Sequence, residues 1–203
     1  MPGKTKRKKY FPTSSQKSNL IGLILLSIIF FMLLSSCMPI MQLAYGLHQP
    51  KYVSDEKVLK YYERIGLEGN VYRLKDYSEE NRKKYNYLGN TMPEVLIFNT
   101  KGQQTKFDVD CSSRLDSIVK LSNNSIDQMN VTGKSIHDLV IDSYILNGES
   151  NIDTTLSNQS LYVLKFAEFA GQLNKDFLPS LITKLKSRSD VQYILLNMDY
   201  TIK

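Results

Sequence analysis

Tryptophan is absent from this 203-residue sequence, and cysteine and histidine occur only twice each. His48 and His137 are far apart and have no cysteine or carboxylate beside them at ligand spacing, so a zinc or iron site is not indicated. We therefore expect neither a metal nor another cofactor. The two cysteines, Cys37 and Cys111, could form at most one disulfide bond in an oxidising compartment.

The folded part of the chain also lacks a basic excess. The formal net charge is +6, but six basic residues lie within the first 18 positions, ahead of any acidic residue. Removing these six from 26 basic residues leaves 20, against 20 acidic residues. A neutral domain does not provide the basic face that nucleic-acid binding needs, so we expect no nucleic-acid partner.

An uncharged apolar run follows the basic segment and extends from Leu20 to Leu34. As a helix it would be about 22 Å long, shorter than the ~30 Å hydrocarbon core of a bilayer. A basic stretch before a short apolar run is typical of a signal peptide. The next residues, Leu34–Cys37, resemble the lipobox of bacterial lipoproteins. This resemblance implies cleavage before Cys37, acylation of Cys37 and attachment to a membrane through the lipid.

An uncleaved membrane span is the alternative interpretation. Apolar character continues to Met41, and a helix over Leu20–Met41 would be about 33 Å long. In both cases the basic cluster stays in the cytoplasm, so the rest of the chain is exported to the periplasm or outer envelope. We accordingly divide the chain into a leader and signal or anchor segment (1–36), a tether (37–53) and an exported domain (54–203).

Alternation and capping signals predict the elements of this domain. They indicate a helix capped by Ser54, a strand at 71–74, a polar helix at 78–89, a strand at 94–98, a hairpin strand at 105–109, a helix after Ser112, a strand at 161–166, a helix at 174–187 and a strand at 191–196. In the middle stretch, 122–160, only a helix over Ser135–Leu146 is indicated, and the remainder is predicted to be connecting loop. The last strand-helix-strand unit predicts a parallel pair.

One segment, Leu161–Leu181, reads LYVLKFAEFAGQLNKDFLPSL and resembles the active-site segment of thioredoxin-fold proteins. In that family a buried strand ends in an aromatic-Ala-x-aromatic stretch, followed by Cys-x-x-Cys and a helix that contains proline. Phe166–Phe169 matches the first part. The two cysteines would fall at Ala170 and Leu173, so the dithiol is missing, and Pro179 lies one residue later than the family spacing.

A second segment resembles the other hallmark of this family, a Thr-x-Pro loop that precedes a strand and faces the dithiol. Here the loop is Thr91-Met92-Pro93, and the resemblance implies a cis Pro93 beside Ala170. The hairpin and helix that follow also fit the family.

The two halves stand in reversed order, because the Thr-x-Pro half (54–121) precedes the degenerate active-site half (161–203). We therefore predict an α/β or α+β fold. It would be a thioredoxin-like mixed sheet with flanking helices, circularly permuted or rearranged, behind an N-terminal apolar helix. The strands at 71–74 and 191–196 compete for one position in that sheet.

The missing dithiol implies a binding function rather than thiol-disulfide exchange, which needs an attacking thiolate and a resolving thiol. We predict a membrane-anchored, non-catalytic module that binds a protein or peptide in the cell envelope. The predicted binding surface consists of Met92, Pro93, Phe169, Ala170, Gly171 and Gln172.

Two alternatives stay open. Cys111 precedes a predicted helix start, where backbone amides could lower its pKa, so the protein could be an envelope redox enzyme that works through this single thiol. The protein could also be a bitopic membrane protein with a structural role in the envelope.

Overall fold

The buried-strand signal predicted at 161–166 forms β7, Ser160–Phe166, in which every residue is buried. The computed structural model describes residues 44–47, 51–76, 84–85, 94–107, 115–148, 152 and 154–201. The other strands within these residues are β1 (Tyr52–Val53), β2 (Val71–Leu74), β3 (Glu94–Phe98), β4 (Gln103–Thr105), β5 (Val131–Ser135), β6 (Ser143–Ile145), β8 (Val191–Asn197) and β9 (Tyr200–Thr201). The α-helices there are α1 (Asp55–Arg64), α2 (Leu115–Ile118), α3 (Asn123–Asp127), α4 (Ile136–Asp142) and α5 (Gln172–Lys186).

Side-chain caps explain where two of the helices begin. The Ser54 hydroxyl accepts a hydrogen bond from the Lys57 N–H at 3.4 Å, which satisfies one free donor of α1, as predicted. Ser135 and Asp138 form a capping box at the start of α4, in which each side chain accepts from the backbone of the other residue.

Seven strands form one mixed sheet in the order β5-β4-β3-β7-β8-β2-β6. β7 is parallel to β8, and β8 is parallel to β2, whereas the other neighbours are antiparallel. The predicted parallel strand-helix-strand unit is therefore confirmed. β1 and β9 form a separate two-stranded parallel ladder.

Helices cover both faces of the sheet. Because alternate residues of a strand point to opposite faces, Tyr162 and Leu164 join one core cluster, whereas Leu161 and Val163 join the other. The first cluster includes apolar residues of α1 and α5, and the second includes those of α4. This confirms the predicted α/β class with a mixed sheet and flanking helices.

The stretch 122–160 supplies both edge strands of the sheet, so its prediction as mostly loop was wrong. β5 lies at one edge and β6 at the other. β5 has the polar sequence VTGKS and is at least partly exposed throughout, so no apolar alternation marks it. The helix predicted to reach Leu146 ends at Asp142, because residues 143–145 pair with β2 instead.

The hairpin predicted after β3 is present, but its second strand is β4 rather than residues 105–109. Asn99 tightens the turn, because its Oδ1 accepts hydrogen bonds from two backbone N–H groups of the turn at 3.1 and 2.9 Å. Pairing with β3 can therefore begin closer to the turn. Residues 108–110 and most of the predicted helix at 78–89 lie outside the described residues.

Both strands that competed for one position belong to the sheet. β8 pairs with β7, and β2 pairs with the opposite side of β8. Neither strand lies at an edge of the sheet.

Residues Tyr45–Lys203 form one compact unit, separate from Met1–Ala44. The predicted leader, 1–36, lies outside the described residues. Among the helices of the described residues, none is both long enough and apolar enough to cross a bilayer.

Candidate functional site

The loop predicted to correspond to the dithiol segment joins the carboxyl end of β7 to α5. Glu168–Ala170 forms one 3₁₀ turn, and Gly171 follows with φ +55° and ψ −127° before α5 begins. Ala170 is fully buried, Phe169 is half-buried and Gln172 is exposed. Open parallel sheets commonly bind ligands beyond the carboxyl ends of their strands, so this loop is a candidate site by position.

Tether residues pack directly against this loop. A Cβ atom at Gly171 would lie 2.3 Å from the carbonyl oxygen of Tyr45 and 2.7 Å from that of Gly46. Both distances are far below van der Waals contact, so only glycine fits at this position. The segment Tyr45–Leu47, predicted to be a plain tether, therefore covers one side of the loop.

A buried ion pair lies directly before the loop. The Lys165 ammonium contacts the Glu94 carboxylate and donates to the backbone carbonyl of Tyr85 at 2.9 Å. Both side chains of the pair are almost fully buried, and the two residues lie opposite each other in the β3–β7 register. Burial lowers the pKa of Lys165, and the adjacent Glu94 charge opposes this shift. The pair joins the first residue of β3 to the end of β7.

A second buried carboxylate, Asp199, holds the start of the loop. Its two oxygens accept hydrogen bonds from the Glu168 N–H at 3.0 and 2.8 Å, and one of them also accepts from Asn197 Nδ2 at 2.8 Å. Burial raises the pKa of Asp199, and these hydrogen bonds oppose the shift. Asp199 thus fixes the backbone at the beginning of the 3₁₀ turn.

Asn174 and Tyr61 fix the remainder of the loop. Asn174 Nδ2 donates to the carbonyl of Ala167 and to the Tyr61 hydroxyl, both at 2.6 Å. The Tyr61 hydroxyl in turn donates to the carbonyl of Gly171 at 3.2 Å. Both ends of the loop are therefore tied to side chains of α1 and α5.

Arg73 joins three strands at the same end of the sheet. Its guanidinium is fully buried and donates to the carbonyls of Val53 and Tyr200, each at 2.7 Å, and to Asp55 at 2.5 Å. These contacts connect β2 to both strands of the small β1–β9 ladder. The guanidinium therefore makes these hydrogen bonds to groups of the protein itself.

Among the described residues of this loop, none is a cysteine. Ala170 and Leu173 occupy the two positions that the predicted resemblance assigns to a dithiol, and neither side chain is a nucleophile. The nearby charged groups, Lys165 and Asp199, are buried and engaged by other residues of the chain. The loop carries the half-buried Phe169 and the exposed Gln172 on a backbone that Asp199, Asn174 and Tyr61 hold by hydrogen bonds.

A cleft of about 430 Å³ lies at the opposite end of β8, beside its first residues. β8, the end of α5 and the loop before β2 contribute to its walls. Its lining includes two basic side chains, Lys186 and Arg188, and no acidic side chain among the described residues. Sequence reasoning did not identify this cleft, because its residues come together only in the folded sheet.

Four residues of the predicted binding surface, 169–172, lie together in the loop after β7. Met92 and Pro93 lie outside the described residues, as do Cys37 and Cys111. β3 begins opposite Lys165, so the chain enters β3 at the same end of the sheet as the loop.

Sequence reasoning missed the buried polar residues around the loop, although two of them left a signal. Lys165 interrupts the apolar run LYVLKF, and Arg73 interrupts the strand VYRL. A charged residue within a buried strand indicates a buried partner, because an unpaired buried charge is very costly. Neither pattern reveals which residue is the partner.

The described residues form a mixed α/β domain, in which side-chain hydrogen bonds hold the loop at the carboxyl end of β7. No protein-family model, no curated protein and no solved structure matches this chain. Among the described residues, no group of three or more histidine, cysteine, aspartate or glutamate side chains is placed to hold a metal ion.

Proposed function

We propose that this protein is a membrane-anchored, thioredoxin-like binding module without thiol-exchange activity, which binds a protein or peptide in the cell envelope. Pairing between β3 and β7 is the observation that carries this proposal. Glu94 and Phe98 of β3 lie opposite Lys165 and Leu161 of β7, in an antiparallel register. The strand after the Thr-x-Pro segment and the strand before the degenerate active-site loop are thus direct neighbours, which supports a thioredoxin-like arrangement of the two halves.

The loop after β7 supports a binding role in preference to a reactive one. Hydrogen bonds from Asn174 and to Asp199 hold its backbone, so a partner would meet a surface that is already ordered. Preorganisation of this kind lowers the entropic cost of binding. Phe169 and Gln172 provide an apolar and a polar contact on this surface.

Site-specific photo-crosslinking tests the binding surface. A photoreactive amino acid replaces Gln172 in the full chain, expressed in the cells that make it. We expect discrete crosslinked products from position 172. The matched control is Ser180, which is exposed on the same helix, α5, but lies two turns away; it should give no such product. Equal products from both positions, or none from position 172, would contradict the proposal.

A disulfide-reduction assay tests the absence of exchange chemistry. The detergent-solubilised full chain should reduce a protein disulfide in the presence of dithiothreitol no faster than dithiothreitol alone, because Ala170 and Leu173 replace both exchange thiols. Cys111→Ser should leave that rate unchanged. A rate above the background that is lost in Cys111→Ser would replace the proposal with a single-thiol enzyme.

Metabolic labelling with a fatty acid tests the anchor. Label should appear on a chain that begins at Cys37 and should disappear in Cys37→Ala. Cys111→Ala, which removes the other thiol, serves as the control and should keep the label. An unlabelled chain that retains Met1 would instead indicate the uncleaved span.

A further inference from the structure

Among the described residues, no strand pairs with one edge of the first residues of β8. β2 pairs with β8 only from Leu195 onward, where Leu195 lies opposite Val71 and donates to the Asn70 carbonyl at 2.9 Å. No strand of the described residues pairs with this side of β8 before Leu195. Seven residues of β8 pair with β7 on its other side, so the strand itself is fixed.

The register identifies the backbone groups on that edge. Ser160 of β7 donates to the Asp190 carbonyl at 3.2 Å, and Ser160 lies opposite Val191. In a parallel ladder the residues that hydrogen-bond to one neighbour alternate with those that face the other side. Gln192 therefore bonds to β7, whereas the N–H and C=O groups of Val191 and Tyr193 point toward the free side.

The cleft of about 430 Å³ lies along this edge, and Val191, Gln192, Tyr193 and Ile194 line it. An edge strand with free backbone groups is a template for pairing with another chain. The cleft supplies an apolar contact as well, since the Tyr193 side chain is only half-buried.

One basic side chain at the cleft is available to an acidic partner, although each of the two basic residues has an acidic neighbour, Glu68 or Asp190. Lys186 and Arg188 are the charged residues among its lining, and both are basic. The Lys186 ammonium contacts the Glu68 carboxylate in an exposed ion pair, which is worth little and can exchange partners. Arg188 is held by Asp190 and by the Val119 carbonyl, so Lys186 is the cation that can turn to a ligand.

We propose that an extended peptide that carries carboxylate side chains binds in this cleft as an additional strand, paired with Val191 and Tyr193. Its backbone would use the free edge of β8, and one of its carboxylates would contact Lys186. This inference does not depend on the proposed function above, because the loop after β7 lies at the other end of the sheet.

Amide hydrogen exchange of the full chain in detergent micelles tests the site. The probe is an acetylated and amidated heptapeptide in which valine alternates with glutamate. We expect the Val191 and Tyr193 amides to exchange rapidly in the free protein and to become protected in the complex. The Gln192 and Ile194 amides should be protected in both states, because they bond to β7. Binding without new protection at 191 and 193, or absence of binding, would overturn the proposal.

Two altered peptides separate backbone pairing from charge. The same heptapeptide with every amide N-methylated cannot donate along either edge and should show no measurable binding. A peptide with lysine in place of glutamate should bind more weakly. Equal affinity of the N-methylated and unmodified peptides would exclude strand addition.

Two protein variants test the two contacts. Val191→Pro removes one N–H from the free edge but leaves the ladder with β7 intact, so binding should weaken while the Gln192 amide stays protected. Lys186→Glu should weaken binding by up to about fivefold, whereas Lys175→Glu, an exposed change earlier on α5, should not. Should Val191→Pro fail to fold, the N-methylated peptide decides the outcome. Equal weakening by both lysine variants would overturn the carboxylate contact.

Discussion

The two ends of the sheet carry the same kind of lysine-glutamate ion pair, one buried and one exposed. At the carboxyl end, a lysine-glutamate pair, Lys165–Glu94, is buried between two paired strands and helps to fix the loop surface. At the amino end, another such pair, Lys186–Glu68, is exposed at the cleft, and no strand of the described residues pairs with the neighbouring edge of β8. Burial turns a polar pair into a rigid internal connection, whereas exposure leaves its members available to exchange partners.

Breaking the buried pair should produce the largest effect. Lys165→Met leaves the Glu94 carboxylate buried without its ammonium partner, and we expect the free energy of unfolding to fall by about 3–5 kcal/mol. Urea denaturation measures the change. The double variant Lys165→Met with Glu94→Leu should recover most of the loss, because no isolated charge is left. A single variant as stable as the double variant would show that the pair is unimportant.

Adding a side chain at Gly171, where the loop contacts the tether, should produce the next largest loss of stability. Gly171→Ala places a Cβ against the Tyr45 and Gly46 carbonyls at a positive φ, so we expect a loss of about 1–3 kcal/mol and faster amide exchange at Tyr45–Leu47. Gly46→Ala is the control, because Gly46 also has a positive φ but open space around it. Equal amide exchange at residues 45–47 in both variants would contradict the contact.

Asp199, at the carboxyl end of the sheet, should make the free energy of unfolding depend on pH. Because burial raises its pKa above 3.8 in the folded state, its stabilising contribution is complete at low pH and is lost as the pH rises through the raised pKa. Asp199→Asn should therefore gain stability relative to the natural chain as the pH increases above about 4. Unfolding free energies of both chains between pH 3 and pH 7 measure this difference. A difference that does not change with pH would contradict the prediction.

The exposed pair should produce the smallest effect. Lys186→Gln removes the contact with Glu68, and we expect a change of about 0–1 kcal/mol in the free energy of unfolding, which high salt removes. Lys60→Gln disrupts another exposed pair, Lys60–Glu56 on α1, and should change the free energy of unfolding by a similarly small amount. A loss of stability as large as that of Lys165→Met would contradict the expected difference between the buried and the exposed ion pair.

Strong local signals predicted the central elements, and the edges escaped prediction for a physical reason. A strand buried on both faces, such as β7, needs consecutive apolar residues, so its sequence is recognisable. β5 lies at an edge and carries polar residues, and β6 has the short sequence SYI, which also fitted a helical apolar stripe. Such strands form because they pair with a neighbouring strand that is distant in sequence, so their own residues do not reveal them.

The sequence predicted where along the chain the candidate site lies but not which residues hold it in place. The segment around Ala170 indicated a strand end and a turn, and the structure places both there. The groups that hold the loop, Asn174, Tyr61 and Asp199, come from three separate parts of the chain. Their hydrogen bonds depend on the tertiary arrangement, which no local pattern contains.

The ladder between β1 and β9 sets the order in which this domain can be completed. Tyr52 lies opposite Tyr200, and Val53 lies opposite Thr201, so this ladder cannot form before residues 200–201 are available. Until then Arg73 also lacks its hydrogen bond to the Tyr200 carbonyl. A ribosome-bound chain that stops before residue 200 therefore carries an unfinished end of the sheet, and proteases or chaperones would meet it in that state.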